Sequence, residues 1–207
     1  MTSPTIRVHE GDLPSLDAYG ASVAIDTETM GLLPHRDRLC VVQLSPGDGT
    51  ADVVRIRQGQ TTAPNIERLL ADEAVCVLFH FGRFDIAVLR HAFGTLATNV
   101  YCTKIASKLV RTYTDRHGLK DLARELIGVE ISKGQQSSDW GADTLSEAQV
   151  AYAASDVLYL HRMRDVLDER LEREGRTALA RACFEFLPQR AVLDLEGWAD
   201  TDVFAHS

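Results

Sequence analysis

Apolar positions in the first half of this chain cluster in short runs, and in the second half they recur at helical spacing. Val23-Ala24-Ile25, Leu39 to Leu44, Ala51 to Ile56, Val75 to Phe79 and Asn99 to Cys102 are compact runs bounded by turn residues, and each predicts a strand. Short links join the first three, one of them the turn Pro46-Gly47-Asp48-Gly49, so an antiparallel meander is expected there. Residues 1 to 20 show little periodicity and predict an extended lead-in, with at most a short strand near Ile6-Arg7-Val8 and a helical turn near Leu16.

Pro64 opens a helix over Asn65 to Ala71, and Phe84 to Phe93 is a second helix closed by Gly94. Lys104 to Arg111 and Leu119 to Ile127 follow, the latter stopped by Gly128. After a polar loop from Ile131 to Asp143, Thr144-Leu145-Ser146-Glu147 reads as a capping box that starts a helical stretch running with a break to Glu174. A last helix is expected over Thr177 to Phe186, ended by Pro188. A meander, then alternating helix and strand, then helices predict an α/β fold with a five-stranded mixed sheet flanked by helices.

The 207 residues suffice for one core, and one domain is expected over residues 1–207. No uninterrupted apolar stretch is long enough for a membrane span, and the N-terminus lacks a basic region followed by an apolar core, so a cytoplasmic protein is expected. The cysteines Cys40, Cys76, Cys102 and Cys183 are scattered without zinc-site spacing and read as free core thiols. A net charge of −8 argues against holding long nucleic acid by broad phosphate neutralisation, which needs clustered Lys and Arg. A short ligand, or one held through metal, remains compatible with it.

The chemistry concentrates where the first apolar run ends in Asp26-Thr27-Glu28-Thr29-Met30-Gly31. On an extended segment Asp26 and Glu28 share a face, so both carboxylates reach one point and suit a hard cation such as Mg²⁺ or Mn²⁺. A lone pair of this kind is as easily a turn cap, and more acids are needed. Asp85 stands at a helix start just beyond the fourth predicted strand, where the dipole alone favours an acid. Tyr152 and Asp156 are four apart on one helix face, separated by Ala153, Ala154 and Ser155, small residues that admit a close neighbour.

The order Asp-x-Glu, Asp, Tyr-x-x-x-Asp, carried by Asp26, Glu28, Asp85, Tyr152 and Asp156, resembles the three motifs of the DEDDy 3′-to-5′ exonucleases. His80 five before Asp85, and Gln136-Ser137-Ser138-Asp139-Trp140 ahead of the tyrosine motif, resemble the RNase D branch. The runs Ile6 to Pro14, Pro34 to Thr50 and Asp202 to Ser207 resemble the alphaproteobacterial nano-RNase C family nearly end to end. The resemblance implies an RNase H-like fold, two divalent ions (Mg²⁺ or Mn²⁺), release of 5′-mononucleotides from very short single-stranded RNA including dinucleotides, and a homo-octameric ring. By resemblance, Asp26 bridges the two metals, Glu28 and Asp156 complete the site of the attacking water, Asp85 holds the second metal, and Tyr152 orients the water.

Substrate contacts are expected from Thr27, Thr29 and Gly31 near a 3′ end, from Leu32 or Leu33 as a wedge against a base with Met30 beside them, and from His80. Arg83, Lys104 and Lys108 are candidates for phosphate. The tail from about 188 to 207 carries Leu193, Leu195, Trp198, Val203 and Phe204, too apolar for a free terminus, and is expected to pack at a subunit interface. Two alternatives stay open: an RNase D-like enzyme trimming longer RNA or single-stranded DNA, with short DNA as a further ligand, and an inactive nucleic-acid-binding scaffold.

Overall fold

The computed structural model describes residues 4–132 and 134–206. Its strands are Thr5–Glu10 (β1), Ser22–Thr29 (β2), Leu39–Ser45 (β3), Thr50–Arg55 (β4), Cys76–Phe79 (β5) and Val100–Cys102 (β6). They form one sheet in the order β1-β4-β3-β2-β5-β6. The meander β2-β3-β4 pairs antiparallel, as its short links require. Strand β1 lies parallel to β4, β5 parallel to β2, and β6 parallel to β5.

The mixed sheet therefore has six strands rather than five, because the lead-in adds a full edge strand. Its residues are mostly exposed and only Ile6 and Val8 are apolar, so the sequence announced no more than a short strand there. What fixes its register is Asp52 of β4, which is 3% exposed and accepts from Arg7 at 2.7 and 2.8 Å and from the Tyr19 hydroxyl at 2.6 Å. The His9 ring reaches the same carboxylate at 2.7 Å. A buried carboxylate needs such partners, and here they come from the added strand and its turn.

The helices are Pro64–Ala71 (α1), Gly82–Phe93 (α2), Thr103–Val110 (α3), Leu119–Ile127 (α4), Glu147–Val157 (α5), Leu160–Arg173 (α6) and Thr177–Leu195 (α7). The capping box of α5 sits two residues later than expected: the Ser146 hydroxyl accepts from the Gln149 amide, and the Gln149 side chain answers at the Ser146 N–H. Gln149 also donates to the Asp139 carbonyl at 3.0 Å, which ties the preceding loop to the helix. Pro188 does not end α7 but lies inside it. An interior proline costs about 3 kcal/mol, and α7 offsets this by burying Phe184, Leu187, Pro188 and Ala191 as it packs along α2 and β6.

Helix α5 crosses one face of β2, β3 and β4, and α2 approaches β2 and β5, so the two helices bring their acids to the central strand. All four cysteines are unpaired. Among the described residues no helix is long and apolar enough to cross a membrane.

Candidate active site

Asp26 and Glu28 stand near the end of β2, an interior strand held by β3 on one side and β5 on the other. After Glu28 the pairing with β3 slips by one residue, from Glu28–Val41 to Thr29–Leu39, a local irregularity that turns the chain out of the sheet. The turn that follows is built around Asp37, which is 8% exposed and accepts from the Leu33 amide at 3.0 Å and from Arg36. A Cβ on Gly31 would sit 2.4 Å from the Asp37 carboxylate, so glycine is required there for close approach.

Asp85 is carried in by the junction of β5 and α2. Phe81 caps that helix in the left-handed region, at φ 70°, and a Cβ on Gly82 would meet the Phe79 side chain at 2.7 Å. Strand and helix are thereby joined by only two residues, His80 and Phe81, and Asp85 is buried in the first turn. Its Oδ1 accepts from the Thr27 amide at 3.1 Å and from the Thr27 hydroxyl at 2.7 Å. Tyr152 and Asp156 come from α5, the second acid opposite the first pair.

Carboxylate oxygens of Asp26, Glu28 and Asp156 lie within 4.8 Å of one another, and among the described residues no other group of three possible ligands converges so. Asp85 stands beside this trio. Burial pushes the Asp26 carboxyl well above the usual range, and the charges of Asp85, Asp156 and Glu28 push it further. Burial, then Asp156 and Asp85, raise Glu28 to about 8. Asp85 is raised by burial against the opposing hydrogen bonds of Thr27, and Asp156 by burial and the charge of Asp85. Acids of this kind gain from a counter-ion, and an all-oxygen donor set fits Mg²⁺ or Mn²⁺.

The acids open into a cleft of about 640 Å³ whose walls include Met30, Leu32, His80, Phe81, Lys104, Lys120 and Trp140. Leu32 is 82% exposed, and Met30 and Leu33 are also exposed. Trp140 is buried with its ring centroid 6.1 Å from that of Tyr152, so the polar loop walls the cleft behind the phenol. Burial, then the neighbouring acids, push the Tyr152 phenol above its ordinary value. It stays protonated at neutral pH. Burial and the nearby Lys104 lower His80 to about 3, so that ring is neutral; its Nδ1 lies 2.9 Å from the Thr103 hydroxyl.

Several expected substrate contacts are otherwise engaged. The Thr27 hydroxyl serves Asp85, and the Thr29 hydroxyl donates to the Gly31 carbonyl. Arg83 faces away from the acids: it donates to both oxygens of Asp194, at 2.5 and 2.7 Å, and to the Ala199 carbonyl at 2.7 Å. Lys104 lies on the cleft wall with its ammonium 4.3 Å from the Phe81 ring centroid, while Lys108 is exposed further along α3. Sequence reasoning missed Gln43, which donates to Asp26 Oδ2 at 2.6 Å. Its one visible signal was an amide in the otherwise apolar run Leu39-Cys40-Val41-Val42-Gln43-Leu44.

Clustered carboxylates on the central strand of an RNase H-like sheet define a metal-dependent phosphodiester hydrolase. The chain matches the 3′-5′ exonuclease family over residues 12–172. It is 40% identical over 154 residues to ribonuclease D of Gluconacetobacter diazotrophicus, a match covering 74% of this chain and 39% of that protein. It thus spans about two fifths of the length of that relative. Against solved structures it is 66% identical to Brucella melitensis NrnC with bound Mg²⁺, with a TM-score of 0.95 over 98% of this chain and 100% of the other. Brucella melitensis NrnC bound to pGG matches at 66% identity and a TM-score of 0.97, over 99% and 100% of the two chains. The chain belongs to the 3′-5′ exonuclease family and, within its RNase D-like branch, to the NrnC group. Its converging carboxylates form a donor set suited to a hard divalent cation.

Proposed function

We propose that this protein hydrolyses short oligoribonucleotides from the 3′ end, dinucleotides above all, to 5′-mononucleotides, as the closing step of RNA degradation in the cytoplasm. The observation that carries the reading is the convergence of Asp26, Glu28 and Asp156, with Asp85 and Tyr152 beside them, in a chain 66% identical to a protein solved bound to pGG. Asp26, Glu28, Asp85 and Asp156 would hold two divalent ions, which neutralise charge on the scissile phosphate and supply an activated water.

The chain's own residues do the rest. The protonated Tyr152 hydroxyl donates to and orients the attacking water, and its raised pKa suits a donor rather than a base. Neutral His80 offers a hydrogen bond rather than a charge. Exposed Leu32 and Met30 form an apolar rim against which a base can wedge, with exposed Leu33 next in the chain, and Lys104 and Lys120 supply positive charge along the cleft wall. Arg83, committed to Asp194, contributes through the tail rather than to phosphate.

That tail supports assembly into a homo-octameric ring. Trp198, Val203 and Phe204 are exposed, and the Phe204 ring packs edge-on against exposed Phe186. An apolar patch of this kind on one subunit is suited to burial against another. Time courses on end-labelled RNAs of about two, seven and twenty nucleotides test the reading, lengths chosen to bracket a terminal substrate and a trimming substrate. Fast loss of the shortest with slow attack on the longest is expected; efficient shortening of the longest with a surviving dinucleotide would indicate a trimming enzyme instead.

A further inference from the structure

Gln43 sits on β3 directly across the ladder from Asp26 and has no solvent exposure. Every residue of β3 is buried. Its Nε2 donates to Asp26 Oδ2 at 2.6 Å, and its Oε1 is buried without a hydrogen-bond partner among the described residues. When Asp26 is ionised, as a cation ligand must be, its carboxylate can only accept, so the amide presents its NH₂ to Asp26 and leaves its oxygen unmatched. A buried acceptor without a partner costs about 1–3 kcal/mol, which offsets most of the about 1.5–3 kcal/mol that a hydrogen bond to a charged group contributes, so the amide brings the fold little net stability over a methionine or leucine. Stability of the fold is therefore a poor account of this amide.

We propose that Gln43 is a positioning residue for the metal-binding carboxylate of Asp26. The strand backbone fixes where Asp26 emerges, but not the rotation of its carboxylate about the last side-chain bond. One hydrogen bond from a rigid neighbouring strand sets that rotation and leaves the remaining lone pairs for the cation. The inference rests on the metal reading above. Outer partners of this kind typically alter metal affinity or activity by about 10–100-fold when removed.

The test uses the intact purified protein and its Gln43→Met and Gln43→Leu variants, with Mn²⁺ binding followed by titration calorimetry and thermal unfolding in EDTA. The variants are expected to unfold in EDTA close to the wild-type temperature and to bind Mn²⁺ about 10-fold or more weakly. Wild-type Mn²⁺ affinity in a folded variant would overturn the proposal while leaving the metal reading intact. Loss of folding in both variants would overturn it too, since the amide would then serve the fold. Absence of Mn²⁺ binding in the wild-type protein would remove the metal reading and this inference with it.

Discussion

Thr27 donates both its amide and its hydroxyl to a single oxygen of Asp85, 58 residues further along the chain. The residue between the two acids of β2 thus clamps the acid brought in by α2, and the strand and helix are held at the distance the site needs. Thr27→Val keeps the shape and removes the hydroxyl. It is expected to lower kcat on a dinucleotide by about 10–100-fold and stability by about 1 kcal/mol, with Thr27→Ser restoring most of both. Unchanged kinetics in a folded Thr27→Val protein would mean that Asp85 needs no clamp.

The raised acids make stability depend on pH in a defined direction. A carboxyl whose folded pKa lies above its unfolded one gives stability that is complete below the unfolded value, near 4, and is lost as pH rises through the folded value. For Glu28 that value is about 8, and Asp26, Asp85 and Asp156 shift in the same sense. In EDTA the unfolding temperature is therefore expected to fall between pH 5 and pH 8.5, and Mg²⁺ or Mn²⁺ to restore it at the upper end. Asp26→Asn should flatten the EDTA profile, raising the unfolding temperature at pH 8 by about 2–4 °C for each kcal/mol of relieved repulsion. A metal-insensitive profile would contradict the cluster's role.

Arg83 is two residues from Asp85, yet its guanidinium belongs to the tail. Asp194 receives it, and Arg190 also reaches Asp194 and the Trp198 and Ala199 carbonyls. Arg83→Ala is expected to lower stability by about 1.5–3 kcal/mol, the range for hydrogen bonds to charged groups, and to loosen the tail to limited proteolysis. KM for a dinucleotide measured on the assembled fraction should stay near wild type; a tenfold rise would instead place the arginine on phosphate.

Leu32 presents 82% of its surface to solvent at the cleft rim. Leu32→Ala removes almost no burial, so stability should stay within about 0.5 kcal/mol. KM for a dinucleotide is expected to rise several-fold. An unaffected KM would remove the wedge from the account.

Much of the fold was legible because burial imposes pattern. The meander, the alternation that follows and the break between α5 and α6 all rest on apolar runs and caps. Strand β1 was expected only as a short piece near Ile6-Arg7-Val8, and its full length as a sheet edge depends on polar contacts to Asp52 that sequence does not display. Pro188 misled because tertiary packing of α7 outweighs a local rule. At the site, Asp26 and Glu28 were visible through their period of two, and Tyr152 and Asp156 through their period of four. That Thr27 and Arg83 are bonded within the protein depends on where distant segments meet, as does the pairing of Gln43 with Asp26, whereas the Thr29 bond to Gly31 is local.

The proposed hydrolysis depends on a cation held by the acids around Asp26. The most direct test is the initial rate of dinucleotide hydrolysis with Mn²⁺ for the wild-type and Asp26→Ala proteins, each shown to be folded and assembled to the same size. The expected result is a loss of about 10³-fold or more, since metal-assisted hydrolysis has no substitute within the chain. A folded Asp26→Ala protein that cleaves at a rate comparable to wild type would contradict it.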